Sequence, residues 1–588
     1  MESGTIQQLT RVTVSRESSA PPTRSADWRA VCILIALSVI SWLPRLKGPI
    51  DLRWDGGAYY VLGTSLAEHK GYRLLNEPGN ILATQYPPLM ALFVAVHQWV
   101  LGTSDPNAVG HWLRLSSFLV FTLYMVAIYL MSRHALQPRF AFLVALICFG
   151  NLYTQLLSDL LFPEILFAFA LTVFVCSCNR SAKRAVGILP GLLAAVAYGL
   201  RTIGIAAVMA WAAESLANGR FRQATYRLAL ALIPVACWMS YIHVVESRQQ
   251  YRKVAYEYQR ADYLYYNVSY GRNISLKDPF RPELGYATPT DLTHRFLANL
   301  EKLPSSLGEA VSSKRSLWVL QLASFHRLVG VIILGPWVVR VILIVFGLLV
   351  FGGLGLQLRR REWVAPLLTI FSLLGICSTP WPQQFVRYLA PLLPFLALFL
   401  LQSVLAIQGR LSRFWGKNGR RTGATFAVAI IGSVLLSEGT ALGMTYKRWH
   451  QSVRYESACG ETLTYRLFFY HDAYRVLDDG LEWLRSQAEP GDIVASSMPH
   501  WVYLRTGLKS IMPPFETNPT QGQALLDSVP VRFLILDDGL AVDTRRYSEP
   551  VVKTFPGKWR RVYSDSIVAE SGETLHNRFA IYERVRPE

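Results

Sequence analysis

Long apolar stretches, separated by short and strongly basic connections, leave this chain few ways to fold. Runs of this kind with few charges read as membrane spans. They predict eleven, at 30–46, 112–132, 140–157, 160–178, 186–200, 203–217, 228–245, 338–357, 363–378, 385–407 and 424–445. Composition agrees: 52% of the 588 residues are hydrophobic and 17% are charged, against about a quarter charged in a soluble chain. That balance argues against an ordinary cytosolic enzyme and excludes a disordered chain or a small disulfide scaffold. The polar leader Met1–Arg29, with no small-residue cleavage site after Trp42-Leu43-Pro44-Arg45, marks the first stretch as a retained span.

Orientation follows from lysine and arginine in the short connections. The leader carries Arg11, Arg16, Arg24 and Arg29. Later clusters are Arg133/Arg139, Arg180/Lys183/Arg184, Arg220/Arg222/Arg227, Arg359/Arg360/Arg361 and Arg410/Arg413/Lys417/Arg420/Arg421. Eleven crossings put every cluster on the side of the N-terminus. The run 86–101, opening with Pro87-Pro88, must then be a half-inserted or surface-lying helix. The inner segments carry +16 of the formal +19, so the basic balance is an orientation signal. It does not indicate nucleic acid, whose binding would need a basic face. The expectation is a multi-pass inner-membrane protein in contact with membrane lipid, with a cytoplasmic tail at 1–29 and a membrane domain at 30–445.

Three outer segments remain: 47–111, a tyrosine-rich 246–337, and 446–588, which would lie in the periplasm. The last reads as a soluble α/β domain, with a helix over 474–487, strands at Asp492-Ile-Val-Ala-Ser and Val531-Arg-Phe-Leu-Ile-Leu, and a closing strand at 579–585. Cys32, Cys148, Cys176, Cys178, Cys237 and Cys377 fall in apolar runs and read as buried thiols, with Cys459 alone in a polar region. The spacing of Cys176 and Cys178 suits neither a zinc site nor a redox pair.

Chemistry is sought among the few outer charges. Asp55 follows the first span in Asp51-Leu-Arg-Trp-Asp55-Gly-Gly-Ala-Tyr59, where a helix would place Tyr59 one turn on. A helix cap and a catalytic acid are both open readings for Asp55. Leu157-Ser-Asp159-Leu-Leu-Phe-Pro163-Glu164 supplies two acids at the second outer turn. Asp159 could cap the next helix, whereas Glu164 lies deeper, where ionisable groups are costly and functional by default. Their separation puts them roughly 140° apart on a helix, so they need not share a site. Arg201 and Arg387 face the same side; each could snorkel to headgroups or clamp a phosphate. Acids and arginines at one face suggest a pocket for an anionic, lipid-linked substrate. No P-loop, strand-anchored GxGxxG or HExxH motif occurs. Trp381 and the outer tyrosines could stack on sugars or form an interfacial belt.

The order of these features is a span, D-x-x-x-Y (Asp55, Tyr59), A-x-x-x-x-G, PPL after Tyr86, an acid at the second outer turn, R-Y-x-x-P-x-x-P from Arg387-Tyr388, and an outer domain. Over about residues 30–410 it resembles the glycosyltransferase-C superfamily, near the bacterial relatives of dolichyl-phosphate-mannose protein mannosyltransferases and lipid A aminoarabinose transferases. The resemblance implies a polytopic α-helical membrane transferase. It would take a sugar from a polyprenyl-phosphate-linked donor to a glycan, lipid or protein acceptor on the outer face, with inversion. Asp55 would be the general base, Asp159 would shape a substrate site, and Arg387, Tyr388 and Arg201 would face the donor phosphate. Tyr59, Tyr86 and Glu164 complete the substrate-binding candidates. Gly56 stands where mannosyltransferase relatives carry glutamate, and Tyr86 where the aminoarabinose branch carries lysine. The superfamily admits a divalent metal; with no second acid beside Asp55, none is assigned. A transporter or flippase of a lipid-linked sugar is the alternative, but it would be expected to show matched broken spans.

Overall fold

The computed structural model describes residues 24–181, 187–329, 336–448, 451–456, 462–568 and 574–585. The leader before residue 24, Lys183, Arg184 and Cys459 lie outside the described residues. The chain enters through α1 (Arg24–Trp42). The first loop follows, with α2 (Asp55–Ala67), strands β1 (Arg73–Leu74) and β2 (Ile81–Leu82), and α3 (Leu89–Leu101). Next come α4 (Pro106–Arg133), α5 (Pro138–Gly150), α6 (Leu152–Asp159), α7 (Glu164–Ser181), α8 (Ile188–Leu200), α9 (Ile205–Ala217) and α10 (Phe221–Ser247). The second outer segment holds α11 (Gln249–Arg252), α12 (Tyr270–Ile274), α13 (Pro289–Ala310) and α14 (Arg315–Val329). The bundle closes with α15 (Pro336–Arg359), α16 (Val364–Cys377), α17 (Phe385–Leu389), α18 (Leu393–Phe414) and α19 (Gly416–Arg448).

Among the described residues six helices are long and apolar enough to cross a membrane, and a seventh counts if the bent pair α5–α6 is one span. The stretches at 160–178, 186–200, 203–217 and 363–378 fall on shorter apolar helices. The stretch at 140–157 is not one straight helix, because α5 and α6 meet at 58°. Asn151 makes the break: its backbone is extended, its side-chain oxygen accepts from the Tyr153 and Thr154 amides, and its amide donates to Ala310 and Glu438. The 86–101 run is the short helix α3. It packs Met90, Ala91 and Val94 inward and leaves Leu92, Val96, Trp99 and Val100 outward. Cys148 and Cys377 are buried as expected, but Cys32 and Cys237 are exposed on the outward faces of α1 and α10. These two helices bury only 17% of their apolar windows inside the protein, so an apolar position there need not be a core position.

Glycines allow the closest crossings. A Cβ at Gly308 of α13 would collide with the Leu343 carbonyl of α15, and one at Gly347 with the Pro304 carbonyl. A Cβ at Gly353 would meet the Phe399 carbonyl of α18. Small residues let helix backbones approach this way where no hydrophobic force separates helix from lipid.

The C-terminal residues form a hairpin of β3 (Ser452–Glu456) and β4 (Thr462–Arg466), then α20 (Asp472–Gln487), β5 (Ile493–Ala495), α21 (Pro499–Thr506) and β6 (Lys509–Ile511). They continue with α22 (Pro519–Asp527), β7 (Val531–Leu536), α23 (Arg545–Thr554), β8 (Trp559–Val568) and β9 (Thr574–Arg584). The sheet order is β6-β5-β7-β9-β8, with β6, β5 and β7 parallel and β9 antiparallel to both neighbours. The last strand is therefore internal, inserted between β7 and β8. This sheet does not keep a core to itself. One face joins Tyr256, Tyr258 and Tyr266 of the second outer segment, and the other joins Ile50, Leu52 and Tyr59 of the first loop. Loops and sheet fold as one outer layer.

Gly347→Leu should lower the thermal unfolding midpoint in detergent, by the roughly 1–3 kcal/mol or more that overpacking costs. Gly355→Ala, which meets nothing within 4 Å, should leave it unchanged.

Candidate active site

A cavity of about 330 Å³ opens where the first loop, the second outer turn, the α8–α9 turn and α17 converge beneath the outer layer. Asp55, Tyr59, Tyr86, Arg201, Arg387 and Tyr388 all line it. Arg387 Nη2 lies 2.5 Å from Asp55 Oδ2, and its Nε donates to Glu164 Oε1 at 2.8 Å. Arg201 Nη1 reaches the same Glu164 oxygen at 2.5 Å. Four residues thus form a chain of alternating charge with no net charge. Glu164 sits behind the two arginines, fully buried, and is not part of the lining. The face of Phe162 supports the Arg387 guanidinium at 4.4 Å, a cation–π contact.

Local folding explains each placement. Asp55 opens α2, and its carboxylate turns into the cavity, where Tyr86 and Tyr266 donate to Oδ1 at 3.2 and 3.3 Å. The residue before it, Trp54, has φ 54° and ψ −132°, a conformation costing about 1–3 kcal/mol for a residue with a side chain. Its indole donates to the Leu540 carbonyl at 2.9 Å. Glu164 starts α7 after Pro163, at the positive end of the helix dipole. Arg201 lies in extended backbone between α8 and a short 3₁₀ turn, and Gly204 closes that turn against Ala197, where a Cβ would clash. Tyr388 donates to Gln384 at 3.0 Å, one helical turn back.

Asp159 is placed apart from the cavity. Its carboxylate meets Arg114 at 3.1 Å and Arg45 at 3.8 Å, and it accepts from the Phe468 amide at 2.5 Å. All three side chains are buried. Its own carbonyl accepts from the Asp51 amide, and the Leu161 amide donates to the Asp51 carbonyl. Asp159 thus ties the first loop and the β4–α20 connection to the second outer turn.

Further residues complete the cavity: Trp381 and outer tyrosines, which the sequence leaves open between sugar stacking and an interfacial belt, and others that it does not single out. Tyr153, Tyr265, Tyr266, Tyr270, Phe280 and Trp381 give the cavity an aromatic wall, and Ala541 comes from the C-terminal domain. His500 packs its ring against Tyr266 at 4.4 Å, with neither ring nitrogen partnered among the described residues. The density of tyrosine in 246–337 was the available signal for the wall. Nothing in the local sequence points to His500 or Ala541.

Burial would raise the Asp55 carboxyl, but the charge and hydrogen bond of Arg387 hold it below its ordinary 3.8. Burial pushes the Tyr59, Tyr86 and Tyr266 phenols upward, so they stay neutral donors. Burial also lowers His500 to about 3, leaving it neutral. The residues present do not fit a divalent metal: Asp55 is the sole carboxylate lining the cavity among the described residues, and a guanidinium already lies against it. Position 86 supplies a phenol, not a cation, and a Cβ at Gly56 would press on the Asp51 carbonyl at 3.2 Å.

No family model matches the chain, and no curated protein matches it in sequence. Solved structures do match. The archaeal oligosaccharyltransferase AglB from Archaeoglobus fulgidus, in complex with an inhibitory peptide and a dolichol-phosphate, aligns with TM-score 0.50 and 12% identity over 94% of this chain and 74% of that one. The same enzyme tethered to an acceptor peptide aligns with TM-score 0.50 and 11% identity over 95% and 74%. The chain therefore shares its fold with this archaeal oligosaccharyltransferase. ArnT from Cupriavidus metallidurans in the apo state aligns at TM-score 0.49 and 11% identity over 96% and 100%. In this chain the cavity lies between the apolar bundle and the outer layer.

Asp159→Asn should strand Arg45 and Arg114 as buried cations. Breaking a buried pair this way costs about 3–5 kcal/mol, so thermal unfolding of the purified variant should show a large fall in midpoint.

Proposed function

We propose that this chain is a membrane glycosyltransferase that moves a sugar from a polyprenyl-phosphate donor to an acceptor hydroxyl at the outer face. One observation carries the reading: a carboxylate and two arginines, from distant parts of the chain, meet in an aromatic-walled cavity at the edge of an apolar bundle. The archaeal oligosaccharyltransferase that shares the fold is held with a dolichol-phosphate and a peptide, which supports this kind of donor. The basic inner connections support eleven crossings, a cytoplasmic N-terminus and a periplasmic C-terminal domain.

The donor phosphate enters between Arg387 and Arg201 and takes the place that Asp55 occupies on Arg387. Both guanidiniums then face the oxygens on which charge grows as the sugar leaves. Displaced from Arg387, Asp55 loses the cation that depressed its basicity and accepts the proton of the acceptor hydroxyl. The acceptor oxygen bonds to the anomeric carbon while the bond from that carbon to the phosphate oxygen breaks. Polyprenyl phosphate departs on the opposite face, so the anomeric centre inverts. Glu164 holds the two arginines side by side, and the aromatic wall stacks on the sugar and excludes water. Glycan, lipid and protein hydroxyls are all acceptors of suitable chemistry.

Asp55→Asn should abolish transfer of radiolabelled sugar from polyprenyl-phosphate donors to a membrane extract while the protein still inserts and folds; full turnover would remove Asp55 as the base. The pH dependence has a definite sign. In the free enzyme Asp55 is held below 3.8, so the acid limb of kcat/KM should lie below that value. Arg387→Met should move the limb upward, because the cation that stabilises the carboxylate is gone.

A further inference from the structure

The carboxyl ends of parallel strands are where open α/β sheets usually hold ligands. Here that edge of the C-terminal sheet is pressed onto the start of α2. After β7, the buried Asp537 accepts from the Gly539 and Leu540 amides at 2.9 and 3.2 Å, and also from the Ser497 hydroxyl beyond β5. Gly539, at φ 70°, turns the chain so that the Leu540 carbonyl meets the Trp54 indole N–H at 2.9 Å. The Trp54 ring also stands edge-on to Tyr474 of α20 at 5.5 Å. Within the first turn of α2, a Cβ at Gly57 would lie 2.8 Å from His500 Cβ, so α21 seats directly on the helix backbone. Trp54 itself holds a backbone conformation that side chains rarely adopt, and such a conformation persists only where surrounding contacts over-determine it.

We propose that Trp54 is a positioning residue for Asp55, held in its unfavourable conformation by the β7–α23 turn, so that the C-terminal domain forms part of the active site's geometry. Arg387 fixes the Asp55 carboxylate from the bundle side, and the Leu540–Trp54 contact fixes its backbone from the outer side. This inference rests on the transferase reading of Asp55.

The test uses the full-length protein with Trp54→Phe, which keeps the ring and removes the N–H, with Asp537→Ala, and with the double variant. Two quantities are measured. One is kcat and KM for a polyprenyl-phosphate sugar. The other is modification of Asp55 by a water-soluble carbodiimide, read by peptide mass spectrometry. Carbodiimides attack the protonated carboxyl, so an Asp55 that has slipped from Arg387 labels faster. Each single variant should lower kcat about tenfold or more, with KM within about twofold of wild type. Asp55 labelling should rise several-fold, and the double variant should be no worse than the stronger single one. Lys553→Ala, at the exposed end of α23, should move neither quantity. Unchanged kcat and labelling in Trp54→Phe, or additive losses accompanied by a raised KM, would overturn the proposal. If Asp537→Ala does not fold, Trp54→Phe decides alone. If the wild type transfers no sugar while Trp54→Phe still raises labelling, the transferase reading fails and the positioning role stands.

Discussion

Arg387 holds two carboxylates that the chain delivers from separate outer turns, and the geometry of the cavity depends on that contact. Asp55 arrives on the first loop, Glu164 on the start of α7, and Arg201 on the turn between α8 and α9. Each charge is costly beside an apolar bundle unless its neighbour is present. The four groups therefore fix the relative positions of α2, α7, α8 and α17. The same pairing leaves a site that can respond to an anion, because a phosphate offers the arginines what Asp55 now supplies.

A second buried charge cluster performs a different task with similar parts. Asp159 between Arg45 and Arg114 binds the first loop to the second outer turn, and Arg114 also donates to the Arg466 carbonyl at the end of β4. This cluster is fully enclosed by protein, whereas Asp55, Arg201 and Arg387 keep roughly a fifth of their side-chain surface open to the cavity. Enclosure suits a structural tie, and an open side is what a reacting group needs.

Much of the site was legible in the sequence, because alternating basic connections place all the outer charges on one face before any fold is known. That argument brings Asp55, Glu164, Arg201 and Arg387 to the same side, and the R-Y pair carries Tyr388 with it. It cannot separate Asp159 from them, since the same-face rule is silent about partners, and Arg45 and Arg114 fall inside the predicted spans 30–46 and 112–132, each near an end. The bend at Asn151 escaped because hydropathy counts apolar residues and is blind to a single extended backbone. The roles of Trp54, His500 and Ala541 escaped for a related reason. Period-two and helical patterns reveal three strands of the C-terminal domain, β5, β7 and β9, and the helix α20, but not its other strands or where its carboxyl edge points. The tyrosines of 246–337 were visible as a cluster, and only the fold separates the cavity wall from an interfacial belt.

The exchange of Asp55 for phosphate on Arg387 is the central claim. An experimental structure of the protein with a polyprenyl phosphate bound tests it most directly. The account predicts phosphate oxygens on Arg387 and Arg201, with the 2.5 Å Asp55–Arg387 contact broken and Asp55 facing the open side of the cavity. A phosphate bound elsewhere, with that contact intact, would contradict it.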